Sequence, residues 1–413
     1  MRRAALSLLV AAFAVTLLPG PWGDERVSDL FLYRTYATHF LGGALPFRDV
    51  AFEYPPLAAP LIALPGLAGT GEEAYRLAFG ALALALAASV ALLTGAVAAR
   101  TGGDRRKAML AVALTPLLTG AMIRTHFDLA PVAFTLGALL FVCTGRPRTG
   151  FVVLGVAVMT KGFPIVVAPV ALAWLAARGE GRAALSGALA LAISAGAIAG
   201  VAVAMSPSGA LDAVTYHLER PVQLESTPAS ILLALDAVGA GSARSVHDHS
   251  SDGLHHPLAG AVTALFAVLL LGVVALCAAA AAVGRRGPPS ERALVLGSLA
   301  TMVAFAALGK VLSPQFLIWV APLAALALSW RMWALAAACA SAIALTLVEF
   351  PAHYADVVAR EPAWLWLVGL RNLVLVGVVV LALRAISPSE ATEGAVARWP
   401  WPARPRRRRP APR

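Results

Sequence analysis

The sequence predicts an all-α, polytopic integral membrane protein, and three observations carry that prediction. The 413 residues are 59% hydrophobic and only 13% charged, whereas a soluble domain is about half apolar and about one quarter charged. Apolar runs near the ~20 residues needed to cross a bilayer recur along the chain. Those runs are rich in Ala and Leu and lack the period-2 alternation of an outer-membrane barrel. Helices are then the form in which the backbone satisfies its own polar groups in lipid.

The net charge of +11 does not indicate nucleic-acid binding. Much of the excess sits in short loops and in the Arg-rich end from Arg404 to Arg413. Basic loops mark the cytoplasmic face of a membrane protein. Residues 389–413 read as a disordered, topology-setting tail that could also touch anionic headgroups, beyond a membrane domain at 1–388. Cys143, Cys277 and Cys339 each fall in an apolar run and are expected as buried free thiols.

Met1-Arg2-Arg3 and the apolar run to Leu18 read as an uncleaved first helix with a cytoplasmic N-terminus, in preference to a signal peptide. Further spans are expected near 74–99, 108–123, 128–145, 182–205, 259–284, 291–308, 312–328, 332–349 and 363–385. The stretch 151–177 is interrupted by Thr160-Lys161-Gly162-Phe163-Pro164, and both its flanks are Arg-rich. One crossing would put a basic flank outside. A hairpin of two short helices, 151–160 and 163–177, keeps both inside, with Gly and Pro at the tip; a single kinked helix is the alternative. This gives about 11–12 membrane helices with both termini cytoplasmic. Residues 20–71, 124–127, Lys161, 206–257, 309–315 and 350–362 then share the opposite face. No internal repeat suggests inverted halves.

That face carries the candidate chemistry. In the first loop Leu30, Tyr33, Ala37 and Phe40/Leu41 follow helical spacing, as in an interfacial amphipathic helix. Asp29 stands at its start, as an N-cap or as a catalytic carboxylate. Pro55-Pro56 directs an extended entry into the apolar segment 57–68. Arg124, His126 and Asp128 put a cation, an imidazole and a carboxylate within five residues, which is also what a plain interfacial charge cluster would look like. Lys161 is costly inside a membrane, by about 2.5–3.5 kcal/mol at a helix centre, unless it snorkels from the hairpin tip. The loop 206–257 interleaves charged and apolar residues from Tyr216 to Ser226, the pattern of a segment lying on the membrane surface. His247 to His256 holds ligand types in plenty but no helix register, so it does not define a metal site. Lys310 offers a point charge to a phosphate, and Ser313 and Gln315 can add hydrogen bonds. His353, Tyr354 and Asp356 lie in the last loop of this face.

The stretches Asp29 to Tyr33, Gly42-Gly43 to Asp49, Phe52-Glu53-Tyr54-Pro55-Pro56, His217-x-x-Arg220-Pro221-x-Gln223-x-Glu225-Ser226 and Lys310-Val311-x-Ser313-Pro314-Gln315-Phe316 together resemble glycosyltransferase family 87 over residues 1 to about 385. The resemblance implies a GT-C-like fold, a sugar (most often mannose) carried on polyprenyl phosphate, inversion at the sugar carbon, and a catalytic carboxylate in the first outward loop, which by position is Asp29. An Asp-x-Asp pair is missing from that loop, so no metal cofactor is expected. Asp29 would act as general base. Arg220, Lys161, Lys310 and Arg124 would hold the leaving phosphate. Glu53, Tyr54, His126, Asp128, His217, Gln223, Glu225 and Gln315 would contact sugar or acceptor. The expected partners are the lipid-linked donor, a glycolipid or glycan acceptor and membrane lipids. The Ala/Arg/Gly-rich composition fits a GC-rich bacterial genome, hence the plasma membrane with an extracytoplasmic active site. The alternative is a transporter or flippase, which would carry charges deep within its spans. A scaffolding subunit would leave the polar face without a task.

Overall fold

The computed structural model describes residues 2–283 and 288–386; the tail expected at 389–413 lies outside them. Helix α1 (Arg2–Val15) leads into the first loop, which folds into α2 (Leu30–Leu41) and α3 (Ala58–Gly66). The span α4 (Glu72–Arg100) follows. Where the sequence predicts one span near 108–123, the chain forms α5 (Arg105–Ala113), α6 (Thr115–Thr119) and α7 (Met122–Thr125). Two residues account for the breaks. Pro116 has no N–H to give to the helix ladder, and Gly120 takes a left-handed φ of 56°.

Next come α8 (Leu129–Cys143), α9 (Pro147–Thr160), a 3-10 turn at Phe163–Val166, α10 (Val167–Ala177) and α11 (Gly181–Met205). The long loop beyond holds α12 (Pro207–Glu219), β1 (Val222–Gln223), α13 (Thr227–Ala237), β2 (Arg244–Asp248) and β3 (Ser251–His255). Helices α14 (Ala259–Ala282) and α15 (Glu291–Leu308) follow. A 3-10 segment at Pro314–Val320 runs into α16 (Ala321–Ser329), and α17 (Trp333–Glu349), α18 (Tyr354–Val358) and α19 (Pro362–Ile386) complete the order. Helices α4, α11, α14, α15 and α19 are long and apolar enough to cross a bilayer, and shorter apolar helices stand among them. The protein is thus a helical, multi-pass membrane protein.

The sequence predicts no strands, yet the 206–257 loop contains a small antiparallel sheet of order β1-β3-β2. Val222 pairs with Leu254, and Val246 with Gly253. Strands of two to five residues are too short to leave a readable period. Burial of Val222 and Leu254 against Leu224, Leu232 and Val357 holds them in place.

The stretch 151–177 is a hairpin. A Cβ on Gly187 would lie 2.5 Å from the Phe151 ring, and one on Gly155 would lie 2.1 Å from Ser194 Oγ. Helices α9 and α11 therefore run side by side in the same direction at glycine-sized separation, and α10 returns the chain to the end where both begin.

The basic loops meet at that end of the bundle. Arg100 donates to the Cys143 carbonyl at 2.9 Å and to Glu291 at 2.5 Å. Arg178 reaches the Pro289 carbonyl at 3.2 Å, and Arg292 the Thr101 carbonyl at 3.2 Å. Asp104 N–H donates to the Ser329 carbonyl at 3.2 Å. The other loops meet at the opposite, polar end. There the Trp22 indole donates to Leu117, Leu57 N–H to Met159, and Lys310 to Leu218. The three cysteines are buried and free.

Candidate active site

The first loop is built on an aromatic core. Leu30, Tyr33, Tyr36 and Ala37 form the buried face of α2, as the spacing predicts except that Leu41 is exposed. The Tyr33 ring lies 5.6 Å from Phe79 and 5.5 Å from Phe127. Tyr54 lies 5.2 Å from Phe127. Each such side chain contributes about 1.5–3 kcal/mol on burial, enough to fix the residues that precede α2.

Asp29 is one of these. Its side chain makes no capping bond to α2, so the carboxylate is not committed to the helix end. It accepts a hydrogen bond from the Tyr33 hydroxyl at 3.0 Å and stands 3.6 Å from His126 Nε2, with its side chain 34% exposed. His126 is buried, with Nδ1 at 3.0 Å from Thr125 Oγ1 and 3.3 Å from the Met122 carbonyl. The Thr125 hydroxyl donates to the Ala121 carbonyl, and a carbonyl only accepts. These partners assign the hydrogen to Nδ1, which leaves Nε2 to face Asp29.

Asp128 and Lys161 form one unit. Asp128 is fully buried. Its carboxylate accepts from Lys161 Nζ at 2.8 Å through both oxygens and from the Trp319 indole at 2.7 Å. The ammonium lies 5.0 Å from the centre of the Phe127 ring and 5.5 Å from that of Phe316. Lys161 follows the last turn of α9 in extended conformation, so the hairpin tip delivers it to this partner. Sequence reasoning assigns Lys161 to the phosphate and Asp128 to the sugar; the structure pairs them, and the pair carries no net charge.

A second group faces Asp29. Tyr36 donates to Glu53, and His217 Nε2 donates to the Glu53 carbonyl at 2.8 Å. Burial pushes the Glu53 carboxyl above its usual range; the Asp29 charge adds to this, while Tyr36 and Arg220 pull it back. Burial holds His217 below its usual range, and the charges of Arg220, Lys161 and Lys310 reinforce the shift. His217 lies in the last turn of α12 and Arg220 is its C-cap. Lys310 Nζ donates to the carbonyls of Leu218 at 2.6 Å and Arg220 at 2.8 Å, and burial and Arg220 lower its pKa. Among the described residues neither Arg220 nor Lys310 has a carboxylate partner within ion-pair distance. Asp29, Glu53, His217, Arg220 and Lys310 thus gather at one end, with Tyr54 in the wall behind them.

Other expected site residues sit differently. The Arg124 guanidinium, expected at the phosphate, is buried, binds Glu25, and donates to the Thr16 carbonyl at 2.9 Å. It ties the first loop to the bundle and is spent there. Glu225 is sealed, 1% exposed. Its carbonyl accepts from Arg371 at 2.7 Å and Asn372 at 3.1 Å. Burial, then the nearby Glu349 charge, push its carboxyl well above the usual range. Gln223 bridges the two groups, donating to Glu225 at 3.3 Å and to Ser313 at 3.4 Å. Gln315 is half-buried in the 3-10 segment beside Phe316.

Sequence reasoning missed Trp319, Tyr36, Glu349, Arg371 and Asn372. Arg371 had a signal: a charge in the apolar run of α19, nine residues after Pro362, is costly and so rarely idle. Arg371 thus places within a span the kind of deep charge that the transporter alternative calls for. The His247–His256 stretch folds into the β2–β3 hairpin, where His247 bonds Asp252 at 2.8 Å. Among the described residues no three His, Cys, Asp or Glu side chains form a group that could hold a metal ion.

Comparison with curated protein sequences gives no match. Among solved structures, the crystal structure of ArnT from Cupriavidus metallidurans in the apo state is similar at 17% identity and a TM-score of 0.39, over 95% of this chain and 78% of that one. The sequence model of Glycosyltransferase family 87 matches residues 52–314. That span takes in Glu53, Tyr54, His126, Asp128, Lys161, His217, Arg220, Gln223, Glu225 and Lys310, while Asp29 and Gln315 fall outside it. With more than half of its length matched, the chain belongs to glycosyltransferase family 87.

Proposed function

We propose that this membrane glycosyltransferase moves a sugar, most simply mannose, from a polyprenyl-phosphate donor to a hydroxyl of a lipid or glycan on the extracytoplasmic face, with inversion. The observation that carries the reading is the setting of Asp29. Its carboxylate makes no capping bond, is partly open and stands 3.6 Å from His126 Nε2, and it shares its end of the bundle with Arg220 and Lys310, which have no carboxylate within ion-pair distance among the described residues. The basic loops at the other end support a cytoplasmic placement of that face by the positive-inside rule.

In the proposed step the acceptor oxygen attacks the anomeric carbon from the side opposite the phosphate. Asp29 accepts the hydroxyl proton. The carbon–oxygen bond to phosphate breaks, and its electron pair leaves on the phosphate oxygen. That anion needs fixed positive charge more than a proton, and Arg220 and Lys310 supply it. His126 Nε2, within reach of Asp29, can take the proton onward. Glu53, Tyr54, Gln223 and Gln315 orient hydroxyl groups, and the Asp128–Lys161 pair fixes the floor beside them. No step is assigned to a metal ion.

The test is to incubate membranes containing the full chain with polyprenyl-phosphate mannose labelled in the sugar. Label in a new lipid or glycan product is expected. Label that crosses the bilayer on the unchanged donor, with no product, would support a transporter and overturn the proposal.

A further inference from the structure

The basic end holds an open cleft of about 420 Å³ between the first turns of α9 and α11, lined by Arg146, Arg148, Thr149, Arg182 and Ser186. The three arginines are exposed. Among the described residues no carboxylate lies within ion-pair distance of them, and the nearby Glu180 is bonded to Arg178 at 3.0 Å. Both helices start here without a side-chain cap. The free N–H groups of their first turns, which in α9 begin after Pro147, and their positive dipole ends therefore add to the same field. Away from the cleft the surface changes character. Leu185, Leu189 and Ile193, four residues apart on α11, are each more than half exposed and make an apolar stripe that leads into the bilayer.

We infer that this cleft is a binding site for the headgroup phosphate of an anionic phospholipid, whose acyl chain lies along the Leu185–Ile193 stripe. Three guanidinium groups lining one concavity supply the positive charge and the forked donors that a phosphate takes. A free anion would use the arginines but not the stripe, so the apolar track beside the charge selects a lipid. The parallel packing of α9 and α11 through Gly155 and Gly187 holds the two sides of the cleft at a fixed distance. The inference concerns the end of the bundle remote from Asp29 and stands apart from the proposed reaction.

The test uses the purified full chain in neutral detergent, with melting temperature followed as phosphatidylglycerol, phosphatidylcholine or inorganic phosphate is added. Phosphatidylglycerol is expected to raise the melting temperature saturably, and the other two to have little effect. In Arg146→Gln/Arg148→Gln/Arg182→Gln the half-saturating phosphatidylglycerol concentration is expected to rise at least fivefold. These exposed side chains make no bonds within the described fold, so the unliganded melting temperature should hold. Arg2→Gln/Arg3→Gln/Arg106→Gln removes the same charge elsewhere and is expected to behave as wild type. Ser186→Trp, which fills the cleft without changing charge, should weaken binding as the triple variant does. Equal weakening in the remote triple variant would show diffuse attraction and overturn the site. So would an equal response to phosphatidylcholine, full reproduction by inorganic phosphate alone, or wild-type saturation in the cleft triple variant or in Ser186→Trp.

Discussion

Two polar clusters sit at the same end of this molecule and use the same residue types, yet their surroundings set them apart. Around Asp29 the carboxylate is 34% exposed and His126 stands behind it, while Arg220 and Lys310 lie nearby, with no acidic partner among the described residues. Around Glu225 everything is enclosed: Glu225, Glu349, Arg371 and Asn372 are each 1% exposed, and Arg371 and Asn372 spend donors on one backbone carbonyl. An open cluster can meet a substrate and change its protonation during a reaction. A sealed one joins α17 and α19 to the loop that carries Arg220 and Gln223. Gln223 is the mechanical link: its side chain donates to Glu225 at 3.3 Å and its backbone N–H to the Lys310 carbonyl at 3.0 Å. Residue type alone does not tell catalyst from strut; access and spare hydrogen-bonding capacity do.

Breaking a buried pair should have the largest effect. Lys161→Ala leaves the Asp128 carboxylate buried against Trp319 without its cation, which costs about 3–5 kcal/mol. A large fall in the detergent melting temperature is expected, with most of it restored in Lys161→Met/Asp128→Leu. A wild-type melting temperature in Lys161→Ala would show that the pair is not a structural unit. The open cluster should respond in rate instead. Arg220→Gln is expected to lower turnover by about 10²–10³, the usual cost of removing one electrostatic donor, at unchanged melting temperature. A loss below threefold would move the phosphate contact away from Arg220.

The smallest effect concerns pH. The His217 imidazole is held below its usual range in the folded chain by burial, whereas in the unfolded chain it titrates near 6.5. As pH falls below about 6.5 the unfolded state takes up a proton that the folded state refuses, so folding stability drops. Above that pH the contribution is constant. His217→Gln should flatten this part of the stability profile. An unchanged profile would show that His217 is free to titrate where it stands.

The membrane helices could be read from the sequence because lipid imposes a length and a composition on every span. The hairpin at 151–177 could be read because two basic flanks cannot lie on opposite sides without breaking the charge rule. The three-stranded sheet could not, since its strands are shorter than any reliable alternation. Lys161 was visible as an expensive charge, but its partner was not: Asp128 is 33 residues away, and Trp319 comes from a different helix. Arg371 is an equally expensive charge, but a single Arg hardly alters the hydropathy of the long apolar run around it. The gathering of Glu53, His217, Arg220 and Lys310 depends on three separate loops, and only a fold can bring them together.

The contrast between the clusters is tested most directly by making one chemical change in both, carboxylate to amide, and measuring turnover on labelled polyprenyl-phosphate mannose. In Asp29→Asn the proton acceptor is gone, and turnover is expected to fall by about 10²–10⁴ with donor binding intact. In Glu225→Gln, where burial and the Glu349 charge raise the carboxyl's pKa and so weaken its charged form, turnover should stay within about twofold of wild type. Near-normal turnover in Asp29→Asn, or a loss confined to Glu225→Gln, would contradict the assignment of chemistry to the open cluster.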